Sequence, residues 1–243
     1  IYNGSAQKPT ATVTADSLVG GDTLSLTVGT VGAASTDASE TPYTARVTKI
    51  TGDKAENYQL PEDVTTSYAI AQASLDNAVI TVSGEASLIY TGKEQMPGIT
   101  VTLGGKTLTE NTDYTVSYAN NINATTDTSK AKVTITGKGN YKETASAEFA
   151  IKKAALTVTA EDKTIKYGEN RPNYTATYDG FVNGETETTT GVLNGTLAFE
   201  CDYVKAGSTD NSKAGTYTIT PKGLTSANYE ITLTSRLPIL PAL

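Results

Sequence analysis

One closing phrase occurs twice in the chain, and this repetition constrains the fold more than any single residue does. Residues Gly52–Leu75 and Gly137–Val158 each contain an Asn-Tyr pair, a few polar residues, an aromatic residue followed by Ala-Ile, and a later Leu. Self-similarity at a regular spacing is the signature of tandem structural repeats. The phrase therefore predicts the end of one module and the start of the next.

An opening phrase repeats as well. Tyr2 in "IYNGSAQKP" matches Tyr90 in "IYTGKEQMP", 88 positions later, and "IKYGENRP" at 165–172 is a looser third copy. Each opening phrase is followed, some 50 to 60 residues later, by an Asn-Tyr pair. The three pairs are Asn57-Tyr58, Asn140-Tyr141 and Asn228-Tyr229. The chain therefore contains three repeats.

These repeats predict an all-β chain of three tandem, small β-sandwich modules in an elongated array, at residues 1–72, 73–152 and 153–243. Thr is abundant and 21 Gly residues are present, a composition that favours strands and tight turns. The linkers between modules contain no Gly or Pro, so we expect neighbouring modules to have little freedom.

Period-2 alternation marks the strands. Val133 and Ile135 share one face of a predicted strand, and Tyr114, Val116 and Tyr118 share one face of another. Three two-residue turns are candidates for hairpins, because Gly and Asn adopt the backbone conformations that such turns require. They are Gly104-Gly105, Asn120-Asn121 and Asn183-Gly184.

The two ends of the chain depart from the repeat. Module 1 lacks the leading strand that "SLDNAVITVSG" and "AALTVTAEDK" supply to modules 2 and 3, which predicts an open sheet edge or a partner from elsewhere. The apolar tail "LPILPAL" at 237–243 is either a disordered or foreign end or a strand that adds to a neighbouring sheet. We expect the chain to be a fragment of a longer secreted protein.

Charge and composition exclude several functions. The net charge of −7, with basic residues scattered, makes nucleic acid and anionic membranes poor partners, and no apolar run is long enough to span a bilayer. The chain contains no His and one Cys, so most catalytic mechanisms lack a required group. We predict no enzyme activity and no cofactor, and we assign no catalytic, cofactor-binding or metal-binding residue.

Three kinds of side chain invite a sharper interpretation that we do not adopt. Cys201 is expected to be a half-buried structural residue, because no His is present to activate its thiol. The acidic loops at 110–114 and 208–212 lack the spacing of a calcium loop. An internal Lys–Asn or Lys–Asp cross-link, for which the candidates are Lys93, Lys132 and Lys163, is not expected.

Two stretches resemble known repeats. "YTGKEQMPGITVTLGGKTLTENTDYTVSYANN" resembles the repeats of bacterial cell-surface proteins, and "ALTVTAEDKTIKYGENRPNYTATYDGFVNGE" with "AGTYTITPKGLTSANYEITL" resembles the MBG or YDG-type repeat of bacterial adhesins. The resemblance implies an immunoglobulin-like or mostly-β module of an extracellular bacterial surface protein, used as a stalk or adhesive array. It implies no catalytic residue.

Three functions follow for the chain. The first is a spacer that presents a distal domain, with neighbouring repeats of the same polypeptide as its partners. The second is a binder of a glycan or of a host or matrix protein, through exposed tyrosines that stack on sugars. The third is an accessory module of a carbohydrate-active enzyme. For the Asn-Tyr pair we favour a structural role, in which Asn adopts the left-handed backbone of a corner and the Tyr ring joins the core.

Overall fold

The computed structural model describes residues 1–14, 17–32, 35–166, 169–203 and 215–236. The predicted tail at 237–243 and the acidic loop at 208–212 lie outside these residues. Regular structure within them consists of β-strands and two short 3₁₀ turns, Ala55–Asn57 and Glu85–Ser87. The predicted all-β class is confirmed. None of the described segments forms a helix that could cross a membrane.

The strands of the described residues are numbered in chain order. They are β1 (Leu24–Thr30), β2 (Tyr43–Gly52), β3 (Thr65–Tyr68), β4 (Ala73–Ser74), β5 (Val79–Val82), β6 (Ile99–Leu103), β7 (Lys106–Thr107), β8 (Tyr114–Ala119), β9 (Ala131–Gly137), β10 (Tyr141–Lys142), β11 (Thr144–Phe149), β12 (Ala154–Ala160), β13 (Ala176–Asp179), β14 (Asn194–Glu200), β15 (Thr220–Thr225) and β16 (Tyr229–Thr234).

These strands form small sheets of two or three members. The orders are β1-β2-β3, β5-β6-β7, β11-β9-β8 and β13-β12-β16 for the three-stranded sheets, and β10-β4 and β14-β15 for the two-stranded ones. Most neighbours with a described register are antiparallel, but β4 pairs with β10 and β12 pairs with β16 in parallel. Each parallel pair joins the start of a predicted module to the strand that contains its Asn-Tyr tyrosine.

By compactness the chain divides into two units. The first contains residues 1–81, 99–117 and 134–147, and the second contains 82–98, 118–133 and 148–243. The division into three modules at 1–72, 73–152 and 153–243 stays a prediction.

Each unit has an apolar core of its own. The core of the first unit consists of Leu75, Val101, Leu108, Tyr114, Ile135 and Tyr141. A core cluster of the second unit consists of Ala160, Cys201, Tyr203 and Ile219. Tyrosines contribute to both clusters, which fits a chain that has 14 Tyr but 3 Phe and no Trp. Small sheets of this kind depend on such aromatic rings because few other large apolar side chains are available.

The alternation predicted from the sequence is confirmed in β8 and β9. In β9 the buried residues include Val133 and Ile135, while Lys132 is exposed. In β8, Tyr114 is buried and Thr115 is exposed. The pattern is therefore the one expected for a strand with one face on the core.

One of the three predicted hairpins is confirmed. Gly104-Gly105 connects β6 to β7, with Leu103 paired to Lys106. Asn120-Asn121 does not form a hairpin, because eleven positions, 120–130, separate β8 from β9. The Asn121 side chain is buried and donates to the Gln95 carbonyl at 3.0 Å, so it links two loops instead of forming a hairpin turn. Asn183-Gly184 forms a tight turn, but no strand ends or begins beside it.

Candidate functional site

Three tight turns of the same shape lie at matching places in the repeats. They are Val19–Asp22, Leu103–Lys106 and Val182–Glu185, and both central residues of each turn have positive φ, with values between 55° and 83°. This combination is a type I′ turn, which favours Gly and Asn at its centre. The sequences "VGGD", "LGGK" and "VNGE" satisfy that requirement.

The last residue of each turn contacts the tyrosine of an Asn-Tyr pair. We call these three arrangements the turn–tyrosine pairs. The first pair is Val19–Asp22 with Tyr58, the second is Leu103–Lys106 with Tyr141, and the third is Val182–Glu185 with Tyr229.

The first and third pairs use the same hydrogen bonds. The Val19 N–H donates to the Tyr58 hydroxyl oxygen at 2.9 Å, and that hydroxyl donates to the Asp22 carboxylate at 3.0 Å. The Val182 N–H donates to the Tyr229 hydroxyl oxygen at 3.0 Å, and that hydroxyl donates to the Glu185 carboxylate. In both pairs the phenol group is satisfied as donor and as acceptor.

The second pair has a cation in place of the carboxylate. Lys106 Nζ donates to the Tyr141 hydroxyl oxygen at 3.3 Å. This hydrogen bond raises the pKa of Lys106 above its usual value. The Tyr141 ring is buried, while Lys106 itself lies at the surface.

An opening tyrosine packs on the second and third pairs. The Tyr2 and Tyr141 rings meet edge to face, with centroids 5.4 Å apart and an interplanar angle of 79°. The Tyr90 and Tyr229 rings do the same at 5.5 Å and 80°. Such contacts contribute about 0.5–1.5 kcal/mol beyond area burial. We call the Tyr2–Tyr141 contact junction A and the Tyr90–Tyr229 contact junction B.

The polar group at each junction serves both rings. At junction A, Lys106 Nζ lies 5.5 Å from the Tyr2 centroid and 5.9 Å from the Tyr141 centroid, within range of a cation–π interaction. At junction B, the Tyr90 hydroxyl donates to Glu185 Oε1 at 2.6 Å, while the Tyr229 hydroxyl donates to the other oxygen of that carboxylate.

The asparagines of the second and third pairs bind a loop with their side chains. Asn140 accepts from the Ala38 N–H at 2.7 Å and donates to Asp37 at 2.9 Å. Asn228 accepts from the Ala124 N–H at 3.0 Å and donates to Asn123 at 3.0 Å. These asparagines do not have positive φ, so the left-handed backbone that we predicted for them is wrong. The hydrogen-bond geometry that Asn140 and Asn228 share comes from their side-chain amides instead.

Backbone pairing holds the linker beside each tyrosine. In β4, Ala73 pairs with Tyr141 of β10, and in β12, Ala154 pairs with Tyr229 of β16. The opening tyrosines bond to the same linkers, because the Tyr2 N–H donates to the Ala71 carbonyl at 2.7 Å and the Tyr90 N–H donates to the Lys152 carbonyl at 2.8 Å. Each junction therefore combines a ring contact, an Asn clamp and a parallel strand.

Burial and the shared Glu185 carboxylate raise the pKa values of the two tyrosines at junction B. Burial first, and then the hydrogen bond to Glu185, raises the pKa of Tyr90 to about 12. The same two causes raise the pKa of Tyr229 to about 12. Both phenols therefore stay neutral donors well above the pH at which a free tyrosine ionises.

The structure also places the side chains that we set aside from the sequence. Cys201 is buried in the core beside Tyr203, more deeply than the half-buried position expected for it. Lys93 and Lys132 are exposed, and Lys163 is half-buried in an ion pair with Glu161 at 3.1 Å. Within the described ranges, no cluster of three or more acidic, His or Cys residues could hold a metal ion.

Comparison with known families bears on the third repeat. Residues 156–236 match the family model of the MBG domain (YGX type). This match confirms the MBG-type resemblance for about a third of the chain, a stretch that includes the third turn–tyrosine pair. The MBG domain is a repeat-type module of surface proteins. No curated protein and no solved structure matches the chain.

The turn–tyrosine pairs were missed in the sequence, although their signal is present. The MBG-like segment contains "FVNGE", and the first repeat contains "LVGGD" at the corresponding place. Both stretches end in an acidic residue directly after a two-residue turn. The prediction of a hairpin at Asn183-Gly184 concerned the backbone alone, whereas the turn also brings the Glu185 carboxylate to the Tyr229 hydroxyl.

Proposed function

We propose that the chain is a non-catalytic repeat region of a secreted bacterial surface protein, built as three tandem immunoglobulin-like modules, and that it serves as a stalk or spacer. The observation that carries this proposal is the repeated junction. The opening tyrosine of one repeat lies on the Asn-Tyr tyrosine of the next at both junction A and junction B, with centroid distances that agree within 0.1 Å.

A fixed junction is what a spacer requires. The linkers at 69–75 and 150–156 contain no Gly and no Pro. The first runs parallel to the strand that begins at Tyr141, and the second runs parallel to the strand that begins at Tyr229. Their backbone hydrogen bonds, the Asn clamps and the ring contacts act together, so bending at a junction would break several contacts at once. This arrangement favours transmission of distance and force over independent motion of the repeats.

The distribution of tyrosines supports a spacer over a sugar-binding surface. Every tyrosine of the described residues is buried or half-buried, and the large exposed apolar side chains there are aliphatic ones and one Met. Glycan-binding surfaces of the stacking kind present aromatic faces to solvent. The described surface offers no such face.

The first test measures the stiffness of junction B. Spin labels are placed at Glu94→Cys and Glu187→Cys, two exposed positions on either side of the contact, in a chain in which Cys201 is Ala. We expect a narrow distribution of label distances that broadens in the Tyr90→Ala variant. A broad distribution in the parent chain would contradict the spacer proposal.

The second test addresses binding directly. The full chain is applied to arrays of glycans and of extracellular-matrix proteins. The spacer proposal expects no saturable binding. Saturable binding that is lost on changing a half-buried tyrosine such as Tyr43 or Tyr178 would replace the spacer with the binder, whose ligand class the array would then identify.

A further inference from the structure

We propose that the first turn–tyrosine pair, Val19–Asp22 with Tyr58, is a docking site for the opening tyrosine of another repeat of this kind. The proposal rests on the repeat-array function above and names a partner for one site in it. The same site is present three times in the chain, and the second and third copies are each covered by an opening tyrosine.

The first pair is built like the occupied third pair. In both, a valine N–H donates to the tyrosine hydroxyl oxygen, and the hydroxyl donates to a carboxylate at the last position of the turn. The Asp22 side chain is only 11% exposed, so this carboxylate belongs to a formed site and not to a solvated loop. Preformed donors and acceptors of this kind reduce the cost of binding.

Exposure distinguishes the first pair from the other two. The Tyr229 and Tyr141 rings are 1% and 3% exposed, whereas Tyr58 is half-buried. Val19 is 75% exposed, while Val182, at the same place in the third turn, is half-buried. Among the described residues no aromatic ring packs on Tyr58. The first pair therefore exposes the apolar surface that its two counterparts cover.

The first pair also lacks the parallel strand that accompanies the other two pairs. Tyr141 and Tyr229 each begin a strand that pairs in parallel with a linker. Residues 58–60 belong to none of the strands in the described ranges. A segment that runs beside them can add by backbone hydrogen bonds, which is the strand-addition mode of recognition.

Junctions A and B indicate which polypeptide segment would bind at the first pair. It is a polypeptide with the sequence Ile-Tyr-x-Gly laid against a linker that contributes a parallel strand. Gly is favoured because Gly4 and Gly92 have positive φ, 78° and 70°, which strains any other residue. At junction B a Cβ on Gly92 would also lie 2.7 Å from the Asn183 Cβ. At the first pair, Gly20 stands in place of Asn183 and leaves open space around it, so the approach is not blocked.

Lys54 occupies the place that the incoming hydroxyl would take. Its Nζ lies 3.3 Å from Asp22 Oδ1, while Tyr58 uses Oδ2. At junction B the corresponding second oxygen, Glu185 Oε1, accepts from Tyr90. The Lys54 side chain is 64% exposed, so it can move to solvent when a tyrosine arrives.

The test places a repeat in front of the first pair. A chimaeric chain consists of residues 1–153, a second copy of residues 73–88, and the full 243-residue chain. Residues 73–88 end at Leu88, which precedes Ile89-Tyr90 and therefore joins Ile1-Tyr2 in the native register. Val19→Cys is introduced in the downstream copy only, with Cys201→Ala, so that one thiol reports on the site.

We expect a thiol reagent to label this cysteine at least about tenfold more slowly in the chimaera than in the 243-residue chain, because labelling would then require local opening. Tyr90→Ala in the upstream copy should restore fast labelling, and Gly92→Ala there should restore it in part. Equal labelling rates in the two parent chains would overturn the proposal. Slow labelling that the upstream variants do not change would assign the protection to another segment and overturn it too.

A matched control separates local from global effects. Val79→Cys in the downstream copy reports on another exposed position, 61% exposed, and should label equally fast in both chains. Failure of the docking proposal is distinguishable from failure of the spacer proposal, because the spin-label measurement uses residues 94 and 187 and does not involve the first pair.

Discussion

Junctions A and B have the same ring geometry but opposite charges. The rings meet at 79° in one and 80° in the other, yet Lys106 contacts them at junction A and Glu185 at junction B. A tyrosine accepts either partner because its π-face and hydroxyl oxygen attract a cation, while its O–H donates to a carboxylate. The angle between the two tyrosine rings is therefore set by the repeated backbone, and the polar side chain beside the rings can have either charge.

The two charges do not contribute equally. Lys106 is exposed, so solvent and salt weaken its attraction to the rings. Glu185 is half-buried and accepts from two buried hydroxyls, which have no other acceptor at the same place. Junction B should therefore depend on its charged residue and junction A should not.

Removing the inner ring has the largest expected effect, and it should be similar at both junctions. Tyr141→Ala and Tyr229→Ala each leave a cavity and should lower the free energy of unfolding by about 3–5 kcal/mol. Tyr58→Ala should cost clearly less, because that ring is half-buried. Urea unfolding followed by circular dichroism measures all three, and an equal cost for Tyr58→Ala would contradict the exposed state of the first pair.

Replacing the charged residue should lower the free energy of unfolding more at junction B than at junction A. Glu185→Ala leaves two buried hydroxyls without their acceptor and should cost about 2–4 kcal/mol. Lys106→Ala removes an exposed cation–π contact and should cost less than about 1 kcal/mol. The same urea measurement applies, repeated at 1 M salt. A larger cost for the Lys106 change would reverse the comparison.

Alkaline pH should act on junction B. Because the folded pKa values of Tyr90 and Tyr229 are about 12, above the ordinary value of 10, the unfolded state loses protons first as the pH rises. The stability due to these groups is complete below pH 10 and is lost between pH 10 and pH 12. We expect the fall in unfolding free energy over this range to be smaller in Glu185→Gln, which removes the carboxylate charge. An unchanged slope would exclude Glu185 as a cause.

The smallest expected difference concerns two glycines with matching backbones. Gly4 and Gly92 have φ of 78° and 70°, so Ala is strained at both, by about 1–2 kcal/mol. At Gly92 the new Cβ also meets Asn183, whereas at Gly4 the nearest atom is the Tyr2 hydroxyl at 4.0 Å. Gly92→Ala should therefore cost about 1 kcal/mol more, as thermal unfolding would show. Equal costs would mean that Asn183 moves aside freely, and Asn183→Gly should remove any excess.

The sequence was sufficient for the β class and much of the strand alternation, because both depend on residues close together in the chain. Val133 and Ile135 point to the core for the same reason that their spacing suggested. The hairpin at Gly104-Gly105 was predicted correctly because two glycines between paired residues specify it locally.

The junctions could not be predicted in this way. Tyr2 and Tyr141 contact each other because β4 runs parallel to β10, and no local pattern encodes that pairing. Asn120-Asn121 failed as a hairpin because eleven positions separate β8 from β9, and the buried Asn121 amide instead donates to the Gln95 carbonyl, 26 positions away. The role of Asn140 and Asn228 was likewise assigned to backbone conformation, whereas distant loops determine it.

The sequence separation at each junction has a consequence for synthesis. Tyr2 cannot reach its partner until residue 141 has left the ribosome, and Tyr90 cannot do so until residue 229 has followed. Tyr2 and Tyr90 therefore stay without these ring contacts until residues 141 and 229 follow. Packing at the two junctions is therefore completed in order, junction A before junction B, as the later part of the chain is synthesised.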